Sequence, residues 1–240
     1  MREDICTIPI NDVFGPKDGC PVCRMRDMLE ERIAEYITGA AMMEPDVRIE
    51  TNRLGFCERH FGMIRDTGSR LPVALILQSH LKEIEETIFP RPGEAPGKKE
   101  LEAARALGKS CFMCENIEKN MDHLFETVLK MWQSEEEFRA LYAAQPYLCL
   151  PHYARMAEAA QRMPRKNRAA FLAVTAELGG NALRELEHDV THFCAMFDYR
   201  NDQEDWGNSR DSIERSMQFL TSRPVGDLPK TGSGRAPTQA

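Results

Sequence analysis

Long apolar runs are missing from this 240-residue chain. The longest, residues 71–77, is interrupted by Pro72 and falls well short of the ~20 residues that span a bilayer. The opening Met1-Arg2-Glu3-Asp4 carries acids where a secretory signal would carry bases and then an apolar run. A cytoplasmic protein without a membrane span is therefore expected. Positive charge is in deficit as well: 31 basic against 38 acidic residues leave a net charge of −7. Proteins that coat nucleic acid draw their affinity from neutralised phosphates, so this balance argues against that role. Strand patterning is sparse, and only residues 5–13 (ICTIPINDV) look extended. No phosphate loop, nucleotide fingerprint or nucleophile–base pair stands out, which favours a binding protein over an enzyme.

Helical patterning and cysteine are present. Apolar residues at Met25, Met28, Leu29, Ile33 and Tyr36 follow the spacing of one buried helix face. Residues 71–88, 120–132, 168–199 and 212–220 read as further helices, with a break or bend expected at Gly179-Gly180. The Pro- and Gly-rich stretch 90–97 reads as a linker, and the tail 222–240 as disordered. Eight cysteines, at 6, 20, 23, 57, 111, 114, 149 and 194, occur without a secretory signal. In that setting they read as metal-binding or redox residues rather than as a disulfide framework.

Six of the eight fall into a pattern that occurs twice. Cys20-Pro21-Val22-Cys23 is followed after 33 residues by Cys57-Glu58-Arg59-His60. Cys111-Phe112-Met113-Cys114 is followed after 34 residues by Cys149-Leu150-Pro151-His152. Corresponding residues lie 91 or 92 positions apart. A duplicated helical unit is the simplest explanation. A C-x-x-C turn brings two sulfurs to one point. Cys and His at i and i+3 share one helix face. Three thiolates and an imidazole complete a tetrahedral set for zinc. The expectation is two zinc ions per chain, each held within its own half, by Cys20, Cys23, Cys57 and His60 and by Cys111, Cys114, Cys149 and His152. Ligands exchanged between the halves would satisfy the same spacings. An iron–sulfur centre is the main alternative, since thiolates also hold iron.

The expected organisation is a first metal-binding repeat over residues 1–89, a linker over 90–100, a second repeat with a C-terminal arm over 101–221, and a tail over 222–240. The fold class is mainly α, with a short extended N-terminal segment. Outside the repeat, Glu185, His188 and His192 fall at i, i+3 and i+7 on one expected helix. They could present a third metal site, and with it a helical metalloenzyme. A polar helix face explains them more simply. Thirteen methionines read as core, with a Met-rich partner surface as the alternative.

Cys20-Pro21-Val22-Cys23, Met42-Met43-Glu44-Pro45-Asp46, Gly55-Phe56-Cys57 and Phe197-Asp198-Tyr199-Arg200-Asn201 resemble a family found in anaerobic bacteria, chiefly clostridia and their relatives. The resemblance runs nearly to Leu220. It implies a cytosolic protein with paired CPxC and CxxH motifs and a domain of unknown function. The second pair here lacks the proline of the first. The partner expected is a protein or a small molecule.

Overall fold

The computed structural model describes residues 7–67, 70–201 and 204–224. Among them are eleven α-helices and no strand. The first five are α1 (Ile8–Phe14), α2 (Pro21–Thr38), α3 (Pro45–Leu54), α4 (Glu58–Asp66) and α5 (Arg70–Ile88). Next come α6 (Lys98–Leu107), α7 (Phe112–Ser134), α8 (Glu136–Ala143), α9 (Leu150–Ala159), α10 (Arg165–Ala195) and α11 (Ser212–Thr221). No described helix is long and apolar enough to cross a membrane.

Prolines and cysteines set several helix starts. Pro21 and Pro45 are the first residues of α2 and α3, where a missing N–H costs nothing. Cys57 and Cys149 are the N-caps of α4 and α9, both with extended backbone. Gly55 ends α3 with φ +58, a conformation glycine adopts without strain. Residues 89–97 are non-helical, as their prolines and glycines predict.

Two readings change. Residues 8–13 are helical, not extended: α1 buries Ile10, Val13 and Phe14, at i, i+3 and i+4. Ile5 and Cys6 lie outside the described residues, as does the tail beyond 224. The second change is that α10 runs unbroken for 31 residues through Gly179-Gly180. A β-carbon on Gly179 would stand 3.6 Å from the Leu148 carbonyl oxygen and from the Tyr153 ring, so α10 passes close to α9 there.

The chain forms two compact units. One contains residues 1–23 and 128–240, the other residues 24–127. This division differs from one at residues 89–101, because its boundaries fall inside α2 and α7 rather than in the loop after α5. In the first unit an aromatic core joins Phe14 to Phe138 and Tyr142, with centroids 5.3 and 5.8 Å apart, and Phe171 to Tyr142 and Trp132, at 5.1 and 5.3 Å. The buried Tyr142 hydroxyl meets Thr175 Oγ1 at 3.0 Å, and Gln145 Nε2 donates to the Phe14 carbonyl at 2.9 Å. In the second unit, Phe56 packs on Phe61 and Phe112. Arg48 Nη2 of α3 donates to the Leu75 carbonyl of α5 at 3.1 Å. Met25, Met113, Met121, Met131, Met156, Met163 and Met196 are all buried, so most methionines fill the interior.

Two candidate metal centres

All eight ligands of the two C-x-x-C and C-x-x-H pairs converge, but not as two self-contained halves. Cys20 and Cys23 gather with Cys149 and His152, forming centre 1. Cys57 and His60 gather with Cys111 and Cys114, forming centre 2. Within each group the ligand atoms all lie within 4.8 Å of one another. The expectation of one centre per sequence half is thereby corrected: each centre takes its C-x-x-C from one half and its C-x-x-H from the other. Near-equal spacings in the halves could not distinguish the two pairings.

Local structure aims these side chains. In each C-x-x-C the first cysteine immediately precedes a helix, α2 or α7, and the second lies in its first turn. Cys23 N–H donates to the Cys20 carbonyl at 3.1 Å, and Cys114 N–H to Cys111 Sγ at 3.5 Å. In each C-x-x-H the cysteine is the N-cap and the histidine stands one turn on. Phe61 and Tyr153 amides close that turn on the Cys57 and Cys149 carbonyls at 2.9 and 2.8 Å. Every centre thus sits at two helix N-termini, where free amides and the helix dipole favour thiolate.

The spacings suit one tetrahedral ion. With bonds of about 2.3 Å to sulfur and about 2.0–2.1 Å to nitrogen, the sulfur–sulfur edge is about 3.8 Å and the sulfur–nitrogen edge about 3.6 Å. In centre 1, Cys23 and Cys149 sulfurs are 3.7 Å apart, and His152 Nδ1 is 3.7, 3.3 and 3.1 Å from the sulfurs of Cys20, Cys23 and Cys149. In centre 2, Cys57 and Cys114 sulfurs are 4.0 Å apart, and His60 Nδ1 is 3.3, 3.2 and 3.4 Å from those of Cys57, Cys111 and Cys114. Nδ1 is the fourth corner in both.

Electrostatics points the same way. Burial raises the Cys20 thiol, but hydrogen bonds from Cys149, Cys23 and His152 outweigh it and hold Cys20 well below the ordinary thiol range. Its neighbours move up: Cys23 through its bonds to Cys149 and Cys20, and Cys149, bonded to Cys20, to about 12. In centre 2, burial of Cys111 is outweighed chiefly by the His60 hydrogen bond, which brings the thiol to about 6. Burial and the Cys111 charge push Cys114 up. His60 loses from burial but gains from Cys111 and Glu30, and is raised to about 9. Three thiols this close cannot all ionise unless a cation replaces their protons.

The centres differ in their surroundings. In centre 1, Cys20, Cys149 and His152 are buried and Cys23 is half-buried. Tyr147 stands beside it, its phenol pushed up to about 12 by burial and by the Cys20, Cys23 and Cys149 sulfurs. In centre 2, Cys114 is exposed. Behind its histidine lies Glu30, 2% exposed, with Oε1 3.4 Å from His60 Nε2. That is ion-pair distance, and the geometry falls short of a hydrogen bond. Arg59 holds the same carboxylate from both sides, Nε to Oε1 at 3.2 Å and Nη2 to Oε2 at 2.7 Å. Sequence reasoning overlooked Glu30. A signal existed, because Glu30 shares the buried stripe of α2 with Arg26, Ala34 and Ile37.

Glu185, His188 and His192 are not brought together. Glu185 lines a cavity of about 250 Å³ with Tyr147 and Arg215. His188 Nδ1 faces Asp189 at 3.4 Å from an exposed position. His192 Nε2 donates to the Asp205 carbonyl at 2.9 Å, helping fix the arm that carries Trp206 against Phe193. Cys194 is exposed.

The chain belongs to a family described as being of unknown function (DUF6062), which it matches over residues 1–227. No curated protein sequence and no solved structure matches it.

Proposed function

We propose that the chain is a zinc-stabilised helical binding protein of the cytoplasm, with one zinc ion in each Cys₃His centre and a protein or small molecule as its partner. The observation that carries this reading is the gathering of four ligand atoms within 4.8 Å in both centres, with a sulfur–sulfur edge of 3.7 Å in one and 4.0 Å in the other and sulfur–nitrogen edges of 3.1–3.7 Å. Soft thiolates with one imidazole in a tetrahedron suit zinc. Four protein ligands leave no open position for a reacting water, which favours a structural role. The centres join segments far apart in sequence, so each ion closes a long loop and opposes unfolding. Cysteines placed as metal ligands rather than as a disulfide framework fit a reducing compartment such as the cytoplasm.

The helix order supports a duplication. α1 to α5 and α6 to α10 follow the same succession, and the ligands recur at 91 or 92 positions. Under this reading the two halves exchange their metal-binding hairpins.

Elemental analysis of anaerobically purified protein tests the proposal. About two zinc atoms per chain are expected, and a strong chelator should unfold the protein. Metal-free protein that melts cooperatively at an unchanged temperature would refute it. The alternative, a redox or iron–sulfur centre, draws support from the exposed Cys114. Brown protein whose visible absorption bleaches in air would favour it. The short sulfur–sulfur edges favour a single ion, since a cluster spreads its thiolates over several irons.

A further inference from the structure

Beside centre 2, the second unit contains an apolar cavity of about 370 Å³ between the end of α5 and α6. Phe56, Phe61, Ile84, Ile88 and Leu107 supply much of its wall, and no Lys, Arg, Asp or Glu lines it. One polar side chain, His80, does. It is 5% exposed, and its Nδ1 donates to the Asn52 carbonyl at 2.9 Å. A carbonyl only accepts, so Nδ1 carries the hydrogen and, in the neutral ring, Nε2 is an acceptor. No described residue donates to that Nε2. Instead it faces Gly55, where a β-carbon would stand 2.9 Å from it and 3.3 Å from Leu107 Cδ1. Gly55 also has φ +58, so glycine is required twice over, and its lack of a side chain leaves the ring nitrogen open to the cavity.

An apolar wall with one convergent polar atom, here a ring nitrogen reachable from the cavity, is the usual make-up of a small-molecule site. We propose that this cavity binds a small, uncharged, mainly apolar molecule of single-ring size, whose one hydroxyl donates to His80 Nε2. The uncharged wall offers a carboxylate or phosphate no cationic partner, which disfavours both. The proposal does not depend on an ion in either centre.

The test uses the full chain as purified and three probes followed by fluorine NMR: 4-fluorobenzyl alcohol, 4-fluorotoluene and 4-fluorobenzoate. The alcohol should bind saturably, and about five-fold more tightly than the toluene, the size of one hydrogen bond. His80→Phe should remove that preference. Since His80 is buried, a second variant guards against misfolding. Ala104 lines the cavity from an exposed position on α6, so Ala104→Trp should block the mouth, keep the fold and weaken both neutral probes at least ten-fold. Absence of saturable binding, undiminished binding to a folded Ala104→Trp variant, or tightest binding of the benzoate would each overturn the proposal.

Discussion

Glu30 Oε1 stands 3.4 Å from His60 Nε2, while Nδ1 of the same ring faces the three sulfurs of centre 2. A carboxylate behind a ligating histidine fixes its tautomer and makes it a better donor. The residues 91 and 92 positions on from Glu30 are Met121 and the exposed Asp122, so no buried carboxylate recurs there. Replacing Glu30 by Gln should therefore weaken metal binding at centre 2 by about 10–100-fold and leave centre 1 unchanged. Competition with a chromophoric chelator would show one weakened site and one intact. Equal weakening of both, or of neither, would contradict the role given to Glu30.

Proton release reports on the same centre. His60, raised from 6.5 to about 9, contributes stability that is complete below its ordinary value and is lost as pH rises through about 9. Cys111, lowered from 9.0 to about 6, contributes stability that is complete above its ordinary value and is lost as pH falls through about 6. Their thiolate–imidazolium pair thus spans the window from about 6 to about 9. A metal binding at pH 7.5 must displace the His60 proton and that of the raised Cys114, at least two protons at centre 2. Calorimetric zinc titrations in buffers of different ionisation enthalpy measure this number. Release of none would contradict the charge states described.

Gly180→Ala should stabilise the protein. Gly180 lies inside the continuous helix α10, and a β-carbon there would meet only the exposed Arg184 guanidinium, at 3.4 Å. Removing a helix-interior glycine is worth about 0.5–1 kcal/mol, or about 1–4 °C in a chain of this size. A fall in melting temperature would show that the glycine serves some further contact.

Much of the site was legible in the sequence, since C-x-x-C and C-x-x-H each encode a local turn. Their partners were not, because spacings of 33 and 34 residues fit either pairing. α2, α5, α7, α10 and α11 announced themselves by periodicity, whereas the short α3, α6 and α8 did not. α1 was misread because alternating apolar residues hid the i, i+3, i+4 set of Ile10, Val13 and Phe14. The glycine pair in α10 suggested a break, but the helix runs through it, with Gly179 set close to Tyr153. Glu30 and His80 carry no motif. Their importance arises only when folding buries a carboxylate behind one histidine and leaves another histidine nitrogen without a donor.

The crossed assembly is best tested by the zinc content of two double variants. Cys20→Ser with Cys149→Ser damages centre 1 alone, so about one tightly held zinc per chain should remain. Cys20→Ser with Cys57→Ser damages both centres, so none should be tightly held. The reverse result, one ion retained in the Cys20/Cys57 variant and none in the Cys20/Cys149 variant, would contradict the account.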